Sequence, residues 1–419
     1  MPDRFIINGG KKLEGEISVS RAKNSALPIL AASLLTADPV QIKNLPRIED
    51  VARMKELMAD LGANIAINKN AATISADRLK KTNLNYSIAD RFRASIVLSG
   101  PLLARFGSVS FPHPGGCTLG KRPINFFIDG FRALGAKVET RGKLFSVTVK
   151  KLKGTKFVFP KSSVTGAETL MMAATLAQGK TILRNAAQEP EVENLAGVLN
   201  KMGAKIKGAG TSTIEINGVD SLAGTTWEPT PDRIEAGTFI LLAAASKSCL
   251  KIKNCNPSHI EVLLEYLDRA GVNLEVGRDY VIVKPSKNLL AQDIVTREYP
   301  GFATDLQAPW TVFTTQTRGL SMVHETIYDG RLFYTDTLNQ MGADIIMADP
   351  HRVIVKGPTP LFGKKIASPD IRAGMALLIA ALVARGQTIM ENIYQIDRGY
   401  ERIDERLKAI GADMRRVEN

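Results

Sequence analysis

Apolar and polar residues follow one another along this chain in two helical patterns, and the two patterns recur six times. In the first, as in "VARMKELMADL" at 51–61, apolar residues recur every three or four positions and charges occupy the other face. In the second, as in "AGMALLIAALV" at 373–383, small and apolar residues fill nearly every position. A helix that is apolar all round is buried, whereas an amphipathic helix covers a core from outside. The sequence therefore predicts pairs of inner and outer helices.

A glycine tag ends each amphipathic helix and divides the chain into even repeats. The tag reads LGA, MGA, AGV or IGA, and its glycines are spaced 68 to 73 residues apart. They are Gly62, Gly135, Gly203, Gly271, Gly342 and Gly411. A glycine after the last helical turn adopts the left-handed cap conformation, and a strand follows at once. Such even spacing indicates an internal repeat, in which each unit of about 70 residues reads β-α-β-α-β-β.

Six such units predict an α/β protein of two domains, with three repeats in each, helices inside and sheets outside. The alternative arrangement is a solenoid array of the same repeats. At 419 residues the chain is long enough for two or three domains. No apolar run reaches the roughly 18 residues that a membrane span needs. The start, "MPDRFIINGG", lacks the features of a signal peptide.

Composition narrows the classes of function. The three cysteines, Cys117, Cys249 and Cys255, form neither a metal spacing nor a disulfide framework, and the four histidines are scattered, so we expect a reducing cytoplasm and no metal. The net charge of +13 is compatible with nucleic-acid binding, but the basic residues form no tract and aromatic residues make up only 6%. An anionic small substrate explains the charge equally well, and so does a generally basic surface.

Polar turns precede the inner helices, and several of them carry a cation. Helix N-termini attract anions, and serine, threonine or aspartate there is also an ordinary N-cap. Lys23, Arg93 and Arg372 need another reason, because a cation opposes the helix dipole at this end. Holding an anionic ligand supplies that reason.

The loop "PGGCTLGKRPIN" at 114–125 holds the most suggestive cysteine. Its Gly-Lys pair imitates a P-loop, but Arg122 stands where that motif needs Ser or Thr to hold Mg²⁺. Lys121 and Arg122 beside Cys117 favour a thiolate or hold a negative substrate near the sulfur. The loop lies between a strand and a helix that we expect to begin at Pro123. An inert cysteine in a flexible loop is the alternative.

Longer stretches resemble the UDP-N-acetylglucosamine enolpyruvyl transferases, a family within the EPSP synthase superfamily. The similarity runs from end to end of the chain. Its stretches include "AKNSALPIL" at 22–30, "PGGCTLGKRPI" at 114–124, "NAAQEPEVENLA" at 185–196, "PDRIEAGTF" at 231–239, "FATDLQA" at 302–308, "ETIYDGRL" at 325–332 and "IDRGYERIDERL" at 396–407. The cysteine loop and the last stretch are highly specific.

The resemblance implies a fold and a reaction. The fold is an inside-out α/β barrel of two lobes, which we expect to hold residues 1–22 with 230–419 and residues 23–229, the second carrying a mobile loop around Cys117. The reaction transfers the enolpyruvyl group of phosphoenolpyruvate to the 3′-hydroxyl of UDP-N-acetylglucosamine and releases phosphate, the first committed step of peptidoglycan synthesis. It needs no metal, cofactor, nucleic acid, membrane insertion or obligate protein partner, and fosfomycin inhibits the family.

The resemblance also implies roles for individual residues. Cys117 is the acid that can form a covalent adduct with phosphoenolpyruvate, and Asp305 lies beside the reacting hydroxyl. Lys23 and Arg398 share in catalysis and, with Arg122, surround the phosphate. Arg331 and Arg372 are expected to bind the carboxylate of phosphoenolpyruvate, with Asn24 nearby. The residues expected to hold the sugar nucleotide are Asn24, Arg93, Arg122, Pro123, Ile124, Asn125, Phe126, Lys161, Ser163, Val164, Thr165, Asp305 and Ile327.

Three positions depart from the family pattern. Arg21 replaces a common glycine, Asn125 replaces an aspartate, and Gln188 replaces an arginine. None of them removes a chemical group from the reaction, but together they are compatible with a divergent paralogue. Two other functions stay open. The sister enzyme acts on shikimate 3-phosphate but is expected to lack the cysteine loop, and a non-catalytic repeat protein would use the basic charge to bind nucleotides or RNA.

Overall fold

The computed structural model describes residues 3–115 and 123–418, which fall into two compact units. The first unit comprises residues 3–20 and 231–418, and the second comprises residues 21–115 and 123–230. Each unit has its own apolar core. In the described residues the strands form six sheets, three in each unit.

The first unit has three four-stranded sheets. In each, an edge strand runs parallel to its neighbour and the other strands pair antiparallel. In spatial order the strands are Glu14–Ser18, Cys249–Lys253, Tyr280–Lys284 and Asn273–Val276; Ile294–Val295, Gly319–His324, Arg352–Gly357 and Asp344–Asp349; and Lys365–Ala367, Gln387–Glu391, Arg4–Asn8 and Asp413–Val417.

The second unit has two four-stranded sheets and one of three strands. In spatial order these strands are Thr226–Trp227, Val40–Lys43, Ala71–Ser75 and Asn64–Asn68; Ser108–Pro112, Leu144–Thr148 and Lys137–Arg141; and Lys156–Val158, Lys180–Arg184, Thr213–Asn217 and Lys205–Lys207. Burial alternates along strands such as Ala71–Ser75, Ser108–Pro112 and Thr213–Asn217, because successive side chains of a strand point to opposite faces. One face of each sheet therefore covers the core and the other faces solvent.

The inner helices are buried almost all round, as their small and apolar residues predict. They are Lys23–Ala32, Ser99–Phe106, Val164–Ala174, Arg233–Ala245, Thr304–Thr314 and Ile371–Val383. Helices Arg233–Ala245, Thr304–Thr314 and Ile371–Val383 contact one another at the centre of the first unit. The predicted arrangement of helices inside and sheets outside is confirmed.

The outer helices end at the predicted glycine tags. These helices are Glu49–Leu61, Asn125–Ala133, Pro190–Lys201, Glu261–Arg269, Thr335–Gln340 and Ile403–Ala409. All six tag glycines have a positive φ, between 81° and 108°. A residue with a β-carbon is strained in this conformation, so glycine allows each helix to turn directly into a strand.

Shorter helical segments complete the described chain. They are the α-helices Tyr86–Ala89 and Tyr394–Asp397 and the 3₁₀ helices Ser33–Leu35, Arg93–Leu98 and Pro257–Ile260. The described part of the chain contains no helix of the length and apolar character that a membrane crossing requires.

Candidate active site

Asp305 lies in the first turn of helix Thr304–Thr314, where two arginines bind its carboxylate. Arg331 Nη2 donates to Oδ1 at 2.8 Å, and Arg372 Nε donates to Oδ2 at 3.0 Å. The side chains of Arg331 and Arg372 are 3% and 8% exposed, whereas that of Asp305 is 26% exposed. The carboxylate is thus the part of this cluster that a ligand can reach most easily.

A second carboxylate, Glu325, supports Arg331 through a hydroxyl. Arg331 Nη1 donates to Thr304 Oγ1 at 3.0 Å, and this hydroxyl donates to Glu325 Oε2 at 2.7 Å. Glu325 is fully buried and follows directly on strand Gly319–His324. Its Oε1 accepts the backbone N–H groups of 327–328 at 2.8 and 3.1 Å. The sheet therefore fixes the position of Glu325, and Glu325 fixes the turn that follows it.

Arg372 lies at the N-terminal end of helix Ile371–Val383, where a cation opposes the helix dipole. The N-cap residue Asp370 accepts the backbone N–H groups of residues 372 and 373 at 2.8 and 3.0 Å. Arg372 Nη1 also donates to the hydroxyl of Tyr400 at 3.1 Å. With Asp305 bound to the same guanidinium, the protein itself supplies anions that compensate this cation.

Burial and charge act against each other at these arginines. Burial lowers the pKa of Arg331, but the carboxylates of Asp305 and Glu325 outweigh it, so the net pKa is raised. Burial likewise lowers the pKa of Arg372, and Asp305 leads the charges that raise the pKa above its ordinary value. Burial raises the pKa of Tyr400, although Arg372 opposes the shift. Both arginines consequently stay protonated, and Tyr400 stays a neutral hydroxyl, at physiological pH.

Arg398 directly follows the short helix Tyr394–Asp397 and is half-buried. Its Nη1 donates to Gln395 Oε1 at 3.1 Å. The neighbouring Asp397 accepts two hydrogen bonds from Arg416, at 2.8 and 2.7 Å. Such bidentate pairing is geometrically specific, so it fixes the position of the turn on which Arg398 lies.

In the second unit, Lys23 opens helix Lys23–Ala32 and pairs with Asp50. The Nζ atom donates to Asp50 Oδ2 at 3.1 Å, and the two side chains are 13% and 6% exposed. Asp50 belongs to the first turn of helix Glu49–Leu61, where an acid is favourable. Asn24, the next predicted residue, is half-buried in the first turn of the Lys23 helix.

Arg93 and the residues after 122 meet within this unit, but the helix there starts later than predicted. Arg93 Nη2 donates to the carbonyl of Pro123 at 3.5 Å. The helix that we expected to begin at Pro123 begins at Asn125. The backbone of Ile124, with φ −109° and ψ 9°, lies outside the helical region while its side chain is buried. Asn125 is exposed and Phe126 is half-buried.

Ser163 is an N-cap, which is the ordinary role expected of a serine in such a turn. Its Oγ accepts the N–H of Gly166 at 3.1 Å at the start of helix Val164–Ala174. The carbonyl of Thr165 accepts the hydroxyl of Thr169 at 2.7 Å within the helix. Lys161, just before this turn, is exposed, and Val164 is half-buried. A role for these residues in binding a ligand stays a prediction.

Cys117 and Arg122 lie outside the described residues, and their roles stay predictions. In the described ranges, 3–115 and 123–418, no group of three or more His, Cys, Asp or Glu side chains is arranged to hold a metal ion.

Sequence reasoning missed four residues that hold the predicted ones in place, namely Thr304, Glu325, Tyr400 and Asp50. Glu325 and Tyr400 lie inside stretches that carry the family resemblance, which was a usable signal. Asp50 could not be singled out from the sequence, because acids are common in the first turn of a helix. Their partners are 21 to 28 residues away along the chain, a distance at which local pattern carries no information.

Comparison with known sequences gives a full-length match. Residues 7–407 match the family described as EPSP synthase (3-phosphoshikimate 1-carboxyvinyltransferase). A relative from Solibacter usitatus, named UDP-N-acetylglucosamine 1-carboxyvinyltransferase, is 44% identical over 418 residues, covering 99% of this chain and all of the relative. A relative of the same name from Coxiella burnetii is 43% identical, with 99% of this chain and 96% of the relative covered.

Solved structures share the fold. The enolpyruvyl transferase NikO from Streptomyces tendae superposes with a TM-score of 0.89 at 24% identity, over 100% of this chain and 99% of that chain. The EPSP synthase of Acinetobacter baumannii gives a TM-score of 0.74 at 20% identity over the full length of both chains. The predicted fold class, a two-lobed inside-out α/β fold, is confirmed by these neighbours.

Proposed function

The chain belongs to the EPSP synthase family, and we propose that it transfers the enolpyruvyl group of phosphoenolpyruvate to the 3′-hydroxyl of UDP-N-acetylglucosamine and releases phosphate. Full-length similarity to relatives named for this reaction carries the proposal. The reaction opens peptidoglycan synthesis. We accordingly place the protein in the cytoplasm, acting on these two small molecules.

The reaction needs an acid, a base and cations. A proton adds to the methylene carbon of phosphoenolpyruvate, and the sugar oxygen bonds to the cationic carbon so formed while losing its own proton. Phosphate then leaves with the electrons of its C–O bond, and the new methyl group gives up a proton to restore the double bond. Fixed cations stabilise the charge of the phosphate and carboxylate throughout.

Asp305 accepts the proton of the sugar hydroxyl in this proposal. Its carboxylate is accessible, and the two buried guanidiniums hold both of its oxygens in fixed directions. Two cations also stabilise the charged form of a carboxylate and thereby weaken it as a base. If the carboxylate of phosphoenolpyruvate takes over part of the bonding of Arg331 and Arg372, Asp305 becomes more basic just when the second substrate requires it.

The remaining roles follow from the resemblance. Cys117 donates the proton to the methylene carbon, and Lys23, Arg122 and Arg398 bind the phosphate. Among the described residues Lys23 pairs with Asp50, so an incoming phosphate competes with this carboxylate for the ammonium group. We further propose that the two compact units are the two lobes of the enzyme.

Phosphate release from phosphoenolpyruvate tests the function directly. We expect release in the presence of UDP-N-acetylglucosamine and none with shikimate 3-phosphate. Release with shikimate 3-phosphate alone would assign the chain to the sister activity. Absence of release with either acceptor, from a folded protein, would refute the proposed function.

Replacement of the base is expected to have a large effect on turnover. Asp305→Asn retains the size of the side chain but cannot accept the proton, so kcat should fall by about 10²- to 10⁴-fold. Binding of UDP-N-acetylglucosamine, measured by calorimetry, should persist. Asp336→Asn is the matched control, because Asp336 also lies in the first turn of a helix. Near-normal kcat in Asp305→Asn would remove Asp305 from the role of base.

The proton-donor role of Cys117 makes a separate prediction. An acid of similar reach should replace the thiol, so Cys117→Asp should turn over and resist fosfomycin, whereas wild type is inactivated. Cys117→Ala should lose about 10²- to 10⁴-fold in kcat, the usual contribution of a general acid. An inactive but folded Asp variant would mean that the covalent adduct is obligatory.

A further inference from the structure

We propose that Glu325 and Thr304 are positioning residues for this reaction: they form a relay that holds Arg331 while Asp305 changes its charge. The inference rests on the proposed function, because it concerns the residue assigned there as the base. Neither Glu325 nor Thr304 needs to touch a substrate. They act through Arg331.

The relay is built from hydrogen bonds that all point the same way. Arg331 donates to the hydroxyl of Thr304 at 3.0 Å, and that hydroxyl donates to Glu325 at 2.7 Å. Hydrogen bonds in such a chain polarise and strengthen one another, especially in a buried setting. Arg331 and Glu325 are 4% and 0% exposed. Thr304 is therefore the connector between a buried cation and a buried carboxylate.

Charge balance explains why a second carboxylate is needed. Two buried arginines bind Asp305. A proton on Asp305 would neutralise its carboxylate and so remove a counter-charge from both arginines together. A buried cation without a counter-charge is costly. Glu325 has no part in the proton transfer, so its charge stays in place throughout the reaction. It keeps Arg331 in position whether Asp305 is charged or neutral.

Glu325 also connects the base to the predicted sugar-binding turn. Its Oε1 accepts the backbone N–H groups of residues 327–328, while its Oε2 faces the relay. Ile327 is one of the residues expected to hold the sugar nucleotide. One side chain therefore sets both the turn that receives the acceptor substrate and the arginine that orients the base.

Several groups around the relay can influence its dependence on pH. His351 Nδ1 contacts the carbonyl oxygen of Glu325 at 3.0 Å, and its side chain is 40% exposed. The other charged or titratable groups facing Arg331 or Glu325 are Asp305, Tyr328, Tyr334 and Asp370. All of them are shared by wild type and the relay variants. A difference in the pH profile of kcat between wild type and a relay variant is therefore due to the relay.

The test compares variants that break the relay at two places. Glu325→Gln removes the charge while retaining an acceptor for residues 327–328, and Thr304→Val removes the connecting hydroxyl. Each should lower kcat by about 10- to 100-fold, the range for a lost hydrogen bond to a charged group. Thr304→Ser retains the hydroxyl and should restore most of the activity. Thr326→Val is the matched control, because the hydroxyl of Thr326 donates to the carbonyl of Thr296 instead.

The pH profile of kcat distinguishes positioning from a purely structural role. Without the negative charge of Glu325, Arg331 stabilises the charged form of Asp305 more strongly, which lowers the pKa of that base. The acidic limb of the profile should therefore move to lower pH in Glu325→Gln.

Three results would overturn the inference. A folded Glu325→Gln protein with wild-type kcat and an unmoved acidic limb would do so, as would equal activities of Thr304→Val and Thr304→Ser. If Glu325→Gln does not fold, the two Thr304 variants decide the matter. Failure of wild type to release phosphate would refute the proposed function, whereas active wild type with indifferent variants would refute only the relay.

Discussion

Each of the two units has a glutamate buried in an inner helix, and the two glutamates have contrasting neighbours. In the first unit, Glu235 of helix Arg233–Ala245 contacts the guanidinium of Arg406 and accepts the N–H of Ser20 at 3.3 Å. In the second unit, Glu168 is 1% exposed, and in the described part of the chain its Oε1 has no hydrogen-bond partner. Similar helices thus bury the same side chain, in the first unit beside a cation and in the second, among the described residues, with one carboxylate oxygen left without a hydrogen bond.

The neighbours decide what burial does to each acid. Burial raises the pKa of Glu235, and Arg406 opposes that shift. Burial raises the pKa of Glu168 well above its usual value, and the charges of Glu191 and Glu189 raise it further. The comparison teaches that a cation from another element limits how far burial raises the pKa of an acid in an inner helix. The pKa of Glu168 is therefore raised further than that of Glu235, where a cation opposes the effect of burial.

Removing the cation from Glu235 should have the largest effect. Arg406→Met leaves a buried carboxylate without its partner and should lower the free energy of unfolding by about 3–5 kcal/mol at neutral pH. The loss should shrink in acid, where Glu235 takes up a proton. Denaturant unfolding at two pH values measures both effects.

The double variant sharpens that result. Glu235→Gln combined with Arg406→Met removes both charges and should recover most of the lost stability. Arg269→Met is the control, because it breaks an exposed pair with Glu265 on the helix Glu261–Arg269 and should change stability far less. A double variant as unstable as Arg406→Met would show that the packing of Arg406, not its charge, is what matters.

The pair of Lys23 and Asp50 should give an intermediate effect in the second unit. Lys23→Met leaves the largely buried Asp50 without this ammonium group, which should cost about 1–3 kcal/mol of stability. Thermal unfolding measures the change. Lys81→Met is the control, because it breaks a more exposed pair with Asp60. Equal losses in both variants would contradict the importance of burial.

Glu168→Gln should change stability with the opposite sign, because it removes an acid whose pKa is raised by burial. The raised pKa means that the stability contributed by Glu168 is fully present below its unfolded pKa near 4.5 and is lost as pH rises through the folded pKa. Each pKa unit of displacement corresponds to about 1.4 kcal/mol. The variant should therefore match wild type in acid and become the more stable protein as pH rises.

Urea unfolding over a series of pH values tests this prediction. Glu193→Gln on the helix Pro190–Lys201 is a suitable control, because Glu193 is exposed and should show no such divergence. A Glu168→Gln protein that is less stable than wild type by the same amount at every pH would mean that Glu168 is charged in the folded state.

Local features of the fold could be predicted from the sequence because their causes are local. The tag glycines have a positive φ since only glycine adopts it without strain after a helix. Asp232 and Asp370 accept the N–H groups of the helices that follow them, as short acids in such turns do. The predicted helix start at Pro123 was wrong by two residues, because burial of Ile124 overrides the preference for proline in the first helical turn.

Features that depend on pairing between distant segments could not be predicted. Nothing in the residues Thr226–Trp227 indicates that they complete a sheet beside Val40–Lys43. Equally, the cation at Arg372 indicated an anion, but the sequence could not say that Asp305 is that anion in the folded chain. The roles assigned to individual site residues stay predictions until the variants are measured.

The pairing of strand Arg4–Asn8 with both Gln387–Glu391 and Asp413–Val417 has a consequence for the timing of synthesis. At ribosomal rates of about 5–20 residues per second, this strand emerges roughly 20 to 80 seconds before its last partner. Residues 21–230 can meanwhile complete their own three sheets. Until translation supplies its neighbours, strand Arg4–Asn8 lacks the partners that cover its backbone N–H and C=O groups in the folded protein, and another chain can pair with them.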